Sequence, residues 1–339
     1  MRKYPCLHTQ IFSSDKYSIV PLRDEDKYAI MQWRNEQIYH LRQNEPLTTE
    51  KQEWYFSNVV ANLFEQTKPT QILFSYLEND ICIGYGGLVH INWVDKNAEI
   101  SFIINTALEK DFFEFHWTTY LSLIEKVAFE ELNLHKIYTY SFNLRPHLYP
   151  ILQNNNYQQE AMLHNHCLFE GKFKDVFFHA KFNPINIREA REDDLMLYFE
   201  WTNDEEVRKQ SFNSGFIALE NHEQWFQKKI ADPNCLMLVF EDAQQVPIGQ
   251  VRFESNEEQK ISVIGVSLDK NFRGKGLAGK ILSLASTWFF KEKPDYTIQA
   301  FIKTENIGSV NAFTKAGFSF EKSLDYQGIA SVLYTKHNQ

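Results

Sequence analysis

The sequence predicts a mixed α/β fold, an α+β arrangement on a mixed sheet, built twice along one chain. Three observations carry that expectation. Ordered landmarks of the first half recur in the second. Each half alternates short apolar strand-like runs with amphipathic helical stretches, and an antiparallel strand set comes first. One strand then runs into one helix through a glycine-containing basic turn, Arg273-Gly274-Lys275-Gly276-Leu277-Ala278. A length of 339 residues fits about two domains.

The landmarks fall in the same order in both halves. Ile19-Val-Pro-Leu-Arg23, followed by Asp24-Glu-Asp26, matches Ile187-Arg-Glu-Ala-Arg191, followed by Glu192-Asp-Asp194. Each reads as a strand leading into a helix whose acidic first turn suits the helix dipole. Trp33-Arg-Asn35 then matches Trp201-Thr-Asn203, Trp54-Tyr-Phe56 matches Trp225-Phe226, and Ile83-Gly84 matches Ile248-Gly249. The strand at residues 99–104 corresponds to 263–268, and Asn156-Tyr157 to Gly317-Phe318. The pattern is a tandem duplication with domains at 1–183 and 186–339. The joint is Asn183-Pro184-Ile185-Asn186, where the proline and its asparagine flanks suit a connection.

Bulk properties exclude several classes. With 43% hydrophobic and 23% charged residues the chain reads as globular. A formal charge of -9 argues against a nucleic-acid partner, which calls for a basic stripe. Cys6, Cys82, Cys167 and Cys235 are scattered without a C-x-x-C pair, which fits a reducing, cytoplasmic setting. No apolar signal core follows Met1, and no stretch approaches a membrane span, so no membrane association is expected. His164 and His166 alternate along a strand-like run, but no further ligands stand at metal spacing, so no metal is expected.

The glycine turn carries the chemistry. The run Ile261–Leu268 reads as a strand, and Leu277, Ile281, Leu284 and Trp288 are spaced as one buried helix face. Glycines let the backbone approach a phosphate closely, and the free N–H groups and dipole at the helix start face its charge. No Gly-Lys-Ser/Thr closes the segment as in nucleoside triphosphatases, and no G-x-G-x-x-G dinucleotide turn is present. Downstream, residues 298–302 read as a strand. Asn306-Ile-Gly-Ser309-Val-Asn-Ala-Phe313-Thr-Lys-Ala-Gly317 reads as a capped helix with a glycine stop.

The turn fits Arg-x-x-Gly-x-Ala and resembles the pyrophosphate loop of the GCN5-related N-acetyltransferase (GNAT) family, so the resemblance implies two tandem GNAT acyl-CoA N-acyltransferase domains. It implies acetyl-CoA as cofactor, with its diphosphate on Arg273, Gly274, Lys275, Gly276, Leu277 and Ala278. It also implies a sheet that splays open beside the loop and an oxyanion polarised by a backbone N–H between Val266 and Leu268. Asn306, Ser309 and Phe313 would line the pantetheine arm. Read from the residues alone, Asn306 and Ser309 serve equally well as helix caps.

The halves are not equivalent. Where the first should repeat the loop it reads Asn105-Thr-Ala-Leu-Glu109-Lys-Asp111-Phe-Phe-Glu114, with no glycine and three acidic residues. Bulk blocks close approach and the acids repel a diphosphate, so this half is not expected to bind acetyl-CoA in the family's manner. Through Trp33-Arg-Asn35, Cys82-Ile-Gly-Tyr-Gly-Gly87 and Ala98-Glu99-Ile-Ser101 it resembles the ribosomal-protein-acetyltransferase branch. A lid, a dimer surface in a homodimer, a substrate platform and a divergent catalyst all remain open for it.

Amide formation needs a neutral amine, an acyl thioester, oxyanion support and a route for the amine proton. Family members often carry a glutamate on the cofactor strand. The first half has Glu99 there and the second has Val263, which leaves Glu254 and His222 as the candidate catalytic residues. Phe313 stands where many relatives have a tyrosine acid. That loss is tolerable, because a thiol of pKa about 8 to 9 departs readily and a sugar amine near about 8 needs little help to lose its proton. Weak assistance suits an amino sugar better than a lysine. Around Trp201-Thr-Asn203, Ser211-Phe212-Asn213, His222-Glu-Gln-Trp225 and Gln250-Val-Arg252 the second half is similar to acetyltransferases of nucleotide-linked amino sugars in pseudaminic-acid-type pathways. That similarity implies substrate contacts from Trp201, Asn203, Phe212, Asn213, Trp225 and Arg252. As residues alone, Trp201, Phe212 and Trp225 read equally as helix core. The expectation is acetyl transfer to the primary amine of a small sugar-nucleotide substrate. The alternatives are a protein N-terminal or polyamine acetyltransferase, or a non-catalytic acetyl-CoA-binding regulatory module.

Overall fold

The structure, a computed structural model, describes residues 2–41 and 43–338. The chain divides into two compact units, Met1–Asn183 and Pro184–Gln339. In the first, β1 (Phe12–Ser14) and β2 (Tyr17–Pro21) precede helices α1 (Lys27–Glu36), α2 (Thr49–Tyr55) and α3 (Ala61–Leu63). Strands β3 (Ile72–Glu78), β4 (Ile81–Asn92) and β5 (Asn97–Ile104) follow, then α4 (Thr106–Glu125), β6 (Lys136–Phe142), α5 (Leu148–Asn154), β7 (Gln158–Phe169) and β8 (Lys172–Phe182). The second unit runs β9 (Asn186–Glu189), α6 (Leu195–Asn203), α7 (Glu205–Gln210), α8 (Leu219–Ile230), β10 (Cys235–Glu241), β11 (Pro247–Asn256) and β12 (Ile261–Leu268). It ends with α9 (Leu277–Glu292), β13 (Thr297–Lys303), α10 (Ile307–Lys315), β14 (Ser319–Tyr326) and β15 (Ile329–His337).

Sheet topology shows the duplication directly. The first sheet is ordered β1-β2-β3-β4-β5-β6-β8-β7, and the second β9-β10-β11-β12-β13-β15-β14, so the two coincide once β1 is set aside. In each, one pair is parallel, β5 with β6 and β12 with β13, and the remaining pairs are antiparallel. The parallel pairs are short. Residues 97–99 pair with 136–138, and 261–263 pair with 297–299, after which the strands part. The predicted splay is therefore present in both units. Registers also agree, since Gly84 faces Ile104 as Gly249 faces Leu268.

Helix α9 covers the second sheet with Ile281, Leu282, Leu284, Ala285 and Phe289, all buried, and Phe289 stacks on Phe253 at 4.5 Å. Ile281 and Leu284 of the expected stripe are on this buried face. Trp288 and Leu277 are only half-buried at its margin, because rings at 289 and 290 fill the space under the helix.

The acidic helix starts need a correction. In each unit the third acid, Asp26 or Asp194, is 5% exposed and works as a buried acceptor rather than a solvated dipole partner. Arg23 Nε and Nη2 each donate to Asp26 at 2.8 Å, and Ser75 Oγ donates at 2.6 Å. Asp194 accepts from Arg188 Nη1 and Nη2 at 2.6 and 2.8 Å and from the Arg191 N–H at 2.7 Å. Burial alone would raise the Asp194 pKa, but Arg188 and the Arg191 N–H outweigh it and hold it below the usual carboxylate range.

Removing Asp194 leaves Arg188 with Glu241 alone and the Arg191 N–H without its acceptor. Asp194→Ala is expected to cost about 1 to 3 kcal/mol in denaturant unfolding. Because the folded pKa is depressed, the carboxylate's contribution is complete above the unfolded value. It disappears as pH falls through the folded one, so wild type and variant should converge only in strong acid.

Candidate active site

Between β12 and α9 lie residues 269–276, and their backbone makes the turn that the sequence singled out. Gly274 and Gly276 sit at φ of 73° and 74°, the left-handed region that side chains resist. A Cβ on either would meet no atom within 4 Å, so this side of the turn is open. Gly276 is the N-cap residue of α9 and brings no side-chain cap, which leaves the first-turn N–H groups for another acceptor.

Arg273 is a brace within this turn. Its Nε donates to the Leu268 carbonyl at 3.0 Å and its Nη2 pairs with Asp204 at 2.8 Å. Lys275 does not line the cavity beside the turn. It lies over the Phe272 ring at 5.0 Å, and Leu277 packs at the edge of the core.

That cavity, about 500 Å³, fills the splay between β12 and β13. Residues 264–268, Arg273, Gly274 and Ala278 line one side, and Asn306, Ser309 and Phe313 line the other. The Asp269 N–H donates to Ile248 on β11, and the Lys260 carbonyl accepts from Thr297 on the β13 side. Strand alternation then turns the N–H groups of Val266 and Leu268 toward the cavity, beyond the last β13 pairing, which the Ile264 N–H completes. Asn306 Oδ1 caps α10 by accepting from the Ser309 N–H at 3.0 Å, so the capping reading holds for Asn306. Phe313 is buried and meets Phe318 edge-on at 5.0 Å, with no hydroxyl to offer.

A second cavity of about 610 Å³ adjoins the first, and the two share Ser211, Ile264, Gly265 and Phe301 in their walls. Phe212, Asn213, His222, Trp225, Arg252 and Glu254 all line it. Two expected substrate residues do not. Trp201 is 4% exposed in the core, and its Nε1 donates to Asp269 at 3.2 Å. Asn203 is spent on a clasp, with Nδ2 donating to the Ile217 carbonyl at 3.0 Å and Oδ1 accepting from the Ile217 N–H at 2.9 Å. Asn35 clasps Leu47 in the same two-bond way, so this asparagine serves the scaffold in both units.

Glu254 faces Val263 across the ladder, just as Val89 faces Glu99. Opposed residues point to one face, so the second unit keeps a carboxylate there, moved by one strand. It is paired to Lys229 and to Arg252, the latter at 2.8 Å. Burial pushes the Glu254 pKa up, but the two cations outweigh it and hold the carboxyl below its ordinary range. Such a group is ionised and a poor base. His222 is 1% exposed among Phe199, Trp225 and Phe226, and burial lowers its pKa, partly offset by a hydrogen bond to the Leu195 backbone. Its Nε2 has no partner among the described residues. Arg252 lies over the Trp225 ring at 5.0 Å.

The sequence reading missed Arg208 and Tyr326. Arg208 donates to the Asn213 and Gly215 carbonyls and to Ser211 Oγ at 3.0 to 3.2 Å, and its Nε is buried without a partner. Tyr326 arrives from the end of β14 and stacks on Phe301 at 4.1 Å. No local motif announces it, whereas a basic residue in the last turn of α7, just before Ser211-Phe212-Asn213, was a usable signal for Arg208.

In the first unit Asn105 alone separates β5 from α4, and its Oδ1 caps the helix at the Ala107 N–H, 3.0 Å away. There is no loop to hold a phosphate. Buried Gln37 donates to the Ile104 carbonyl at 2.7 Å, the register equivalent of the Leu268 carbonyl that Arg273 takes.

Two family models described as acetyltransferase (GNAT) domain match the chain, one over residues 19–175 and the other over 185–319. The chain belongs to the GNAT acetyltransferases. It is an acetyl-CoA-dependent N-acetyltransferase acting on amines, with the GNAT domain present twice. Among curated proteins nothing matches. Among solved structures it is similar to spermidine N-acetyltransferase from Vibrio cholerae in complex with CoA and spermine, 21% identical over 45% of this chain and 93% of that one, with a TM-score of 0.40. It is also similar to aminoglycoside acetyltransferase AAC(6')-Ib in complex with coenzyme A and kanamycin, 19% identical over 45% of this chain and 94% of that one, with a TM-score of 0.40. No helix among the described residues is long and apolar enough to cross a membrane.

The open side of Gly276 can be tested by filling it. Gly276→Glu places charge and bulk at the α9 start and strains a positive φ, and is expected to weaken coenzyme A binding roughly 100-fold or more, close to 3 kcal/mol. Glu114→Gln in the first unit should leave the calorimetric titration unchanged, and the reverse result would assign coenzyme A to the first unit.

Proposed function

We propose that the second unit performs acetyl transfer to the primary amine of a nucleotide-linked amino sugar. One observation carries this reading: a splayed-strand cavity with a phosphate-type turn at one end opens beside a second cavity across Ile264, Gly265 and Phe301. In this reading the first-turn N–H groups of α9, with Gly274 and Gly276, hold the coenzyme's diphosphate, and Asn306, Ser309 and Phe313 flank its arm. When bound, acetyl-CoA supplies an activated thioester acyl group. The Val266 and Leu268 N–H groups, unpaired by any strand, offer hydrogen bonds for charge developing on the acyl oxygen.

Charge in the neighbouring cavity favours an anionic acceptor. Arg208 bonds only to carbonyls and a hydroxyl, and among the described residues no carboxylate pairs with it. Burial lowers its pKa without an opposing partner. A half-buried guanidinium without a counter-charge is costly, and a substrate phosphate would offset that cost with charge-assisted hydrogen bonds. Phe212, Trp225 and Tyr326 provide flat apolar faces for a base or a sugar ring. A polyamine would bring positive charge to a wall that already carries Arg208 and Arg252, so the sugar-nucleotide reading is preferred.

Proton transfer falls to weak groups. Glu254, ionised between Lys229 and Arg252, orients rather than abstracts. His222 lines the same wall with an Nε2 that has no partner among the described residues, and it is the remaining candidate to take the amine proton, through a water. Four cysteines free of disulfides support placement in the cytoplasm.

Arg208→Met should raise KM for a nucleotide-linked amino sugar roughly 10- to 100-fold with little change in kcat, and leave the free amino sugar unaffected. Turnover of spermidine or peptide N-termini alone would discard the proposal. The wild-type kcat/KM should rise with pH through about 8 as the sugar amine loses its proton. Glu254→Gln should keep that inflection and lose less than about tenfold in rate.

A further inference from the structure

The first unit holds a cavity of its own, about 320 Å³, in the splay between β5 and β6. On the side of α4 and α5, Glu109 pairs with Arg145 at 3.1 Å and His147 meets Phe113 at 4.5 Å, where the second unit has its glycine turn. The volume sits at the small end of ligand pockets, which span about 300 to 1,000 Å³.

Two features of the lining point to an occupant. Arg34 is half-buried, and its Nη1 donates to Tyr85 Oη at 2.5 Å and its Nε to Gln43 at 3.1 Å, both neutral partners. Among the described residues no carboxylate pairs with it. Thr139, 3% exposed, lines the same cavity with Oγ1 lacking any partner. Neither group belongs to the shared scaffold. The duplicated pattern has Thr202 in place of Arg34, and strand register puts Ala300 in place of Thr139 and Gln250 in place of Tyr85. A half-buried cation bonded only to neutral groups and a buried hydroxyl without any partner are thus specific to this unit, and a carboxylate could accept from both. Phe102 and Trp117 supply apolar walls, and Glu99 lines the same cavity.

We infer that the first unit binds a small monocarboxylate with an apolar body, of amino-acid size, with the carboxylate on Arg34. The site holds this ligand and does not acetylate it. The inference stands apart from the acceptor proposed for the second unit.

The whole chain, saturated with coenzyme A to fill the second unit, is titrated with L-phenylalanine, L-leucine and 3-phenylpropionate, with phenethylamine and succinate as controls. At least one of the three monocarboxylates should raise Tm by about 2 to 4 °C at tenfold its Kd and quench Trp117 fluorescence, and the controls should not. Arg34→Met should abolish the shift while melting, unliganded, close to wild type, because no carboxylate among the described residues loses a partner. Thr139→Val should fold normally and bind roughly tenfold more weakly. Four results would each overturn the inference: no shift from any of the three, an equal shift from phenethylamine, a shift retained in Arg34→Met, or an unliganded Arg34→Met that melts well below wild type. Displacement of the carboxylate by coenzyme A would return this cavity to the coenzyme. None of these outcomes touches turnover by the second unit, so the two proposals fail separately.

Discussion

The parting of β12 from β13 after three paired residues governs the rest of the second unit. A strand inside a sheet has its backbone groups satisfied by its neighbours, and one that loses a neighbour exposes a row of N–H and C=O groups that need partners. Here the row runs from Val266 to Leu268. One group is satisfied from within, since the Leu268 carbonyl takes the Arg273 guanidinium, and Asp204 anchors the far side of that guanidinium. The remaining N–H groups face open volume. The turn, the start of α9 and the cap of α10 are all placed by where these strands separate.

The first unit keeps the same separation and resolves it differently. Gln37, fully buried, occupies the position that Arg273 fills in the other unit, and α4 begins one residue after β5. With no turn between strand and helix there are no left-handed glycines and no uncapped helix start. The duplicated parts are those that hold the scaffold: the buried aspartates at 26 and 194, the asparagine clasps at 35 and 203, and the sheet order itself. Divergence is confined to groups that face the splay. Scaffold residues touch backbone that both copies share, whereas cavity residues answer to whatever each cavity holds.

The same division explains what could be read from the sequence. The strand at Ile261–Leu268, the helix beyond Gly276 and the cap at Asn306 follow from local rules of periodicity, left-handed glycine and capping, and each was legible. The repeat was legible because its landmarks are scaffold residues. The cavity beside the second unit's splay was legible only in part. Trp201 and Asn203 were taken for substrate residues, but an aromatic and an amide beside a helix end serve equally for a core and a loop clasp, and their partners Asp269 and Ile217 lie too far along the chain to announce themselves. Tyr326 reaches the cavity through a β-hairpin. Arg208 stands in the last turn of α7, and only its partial burial and neutral partners in the fold set it apart in that wall.

Charge bookkeeping then separates the two cavities more sharply than shape does. Several half-buried cations are matched by carboxylates: Arg188 by Asp194 and Glu241, Arg145 by Glu109, and Lys181 by Glu125. Others bond only to neutral groups among the described residues, Lys303 and Lys336 to backbone carbonyls, and Arg208 and Arg34 in the walls of two cavities. A scaffold gains nothing from an unmatched guanidinium, because its desolvation is uncompensated and an apolar side chain of the same volume would pack without that cost. Chance exposure does not account for it either, since both are drawn in by several hydrogen bonds to fixed neighbours. The economical reading is that each awaits an anion brought from outside. On that reading each copy of the duplicated fold presents a cavity with a cation in its wall, Arg34 in the first and Arg208 in the second.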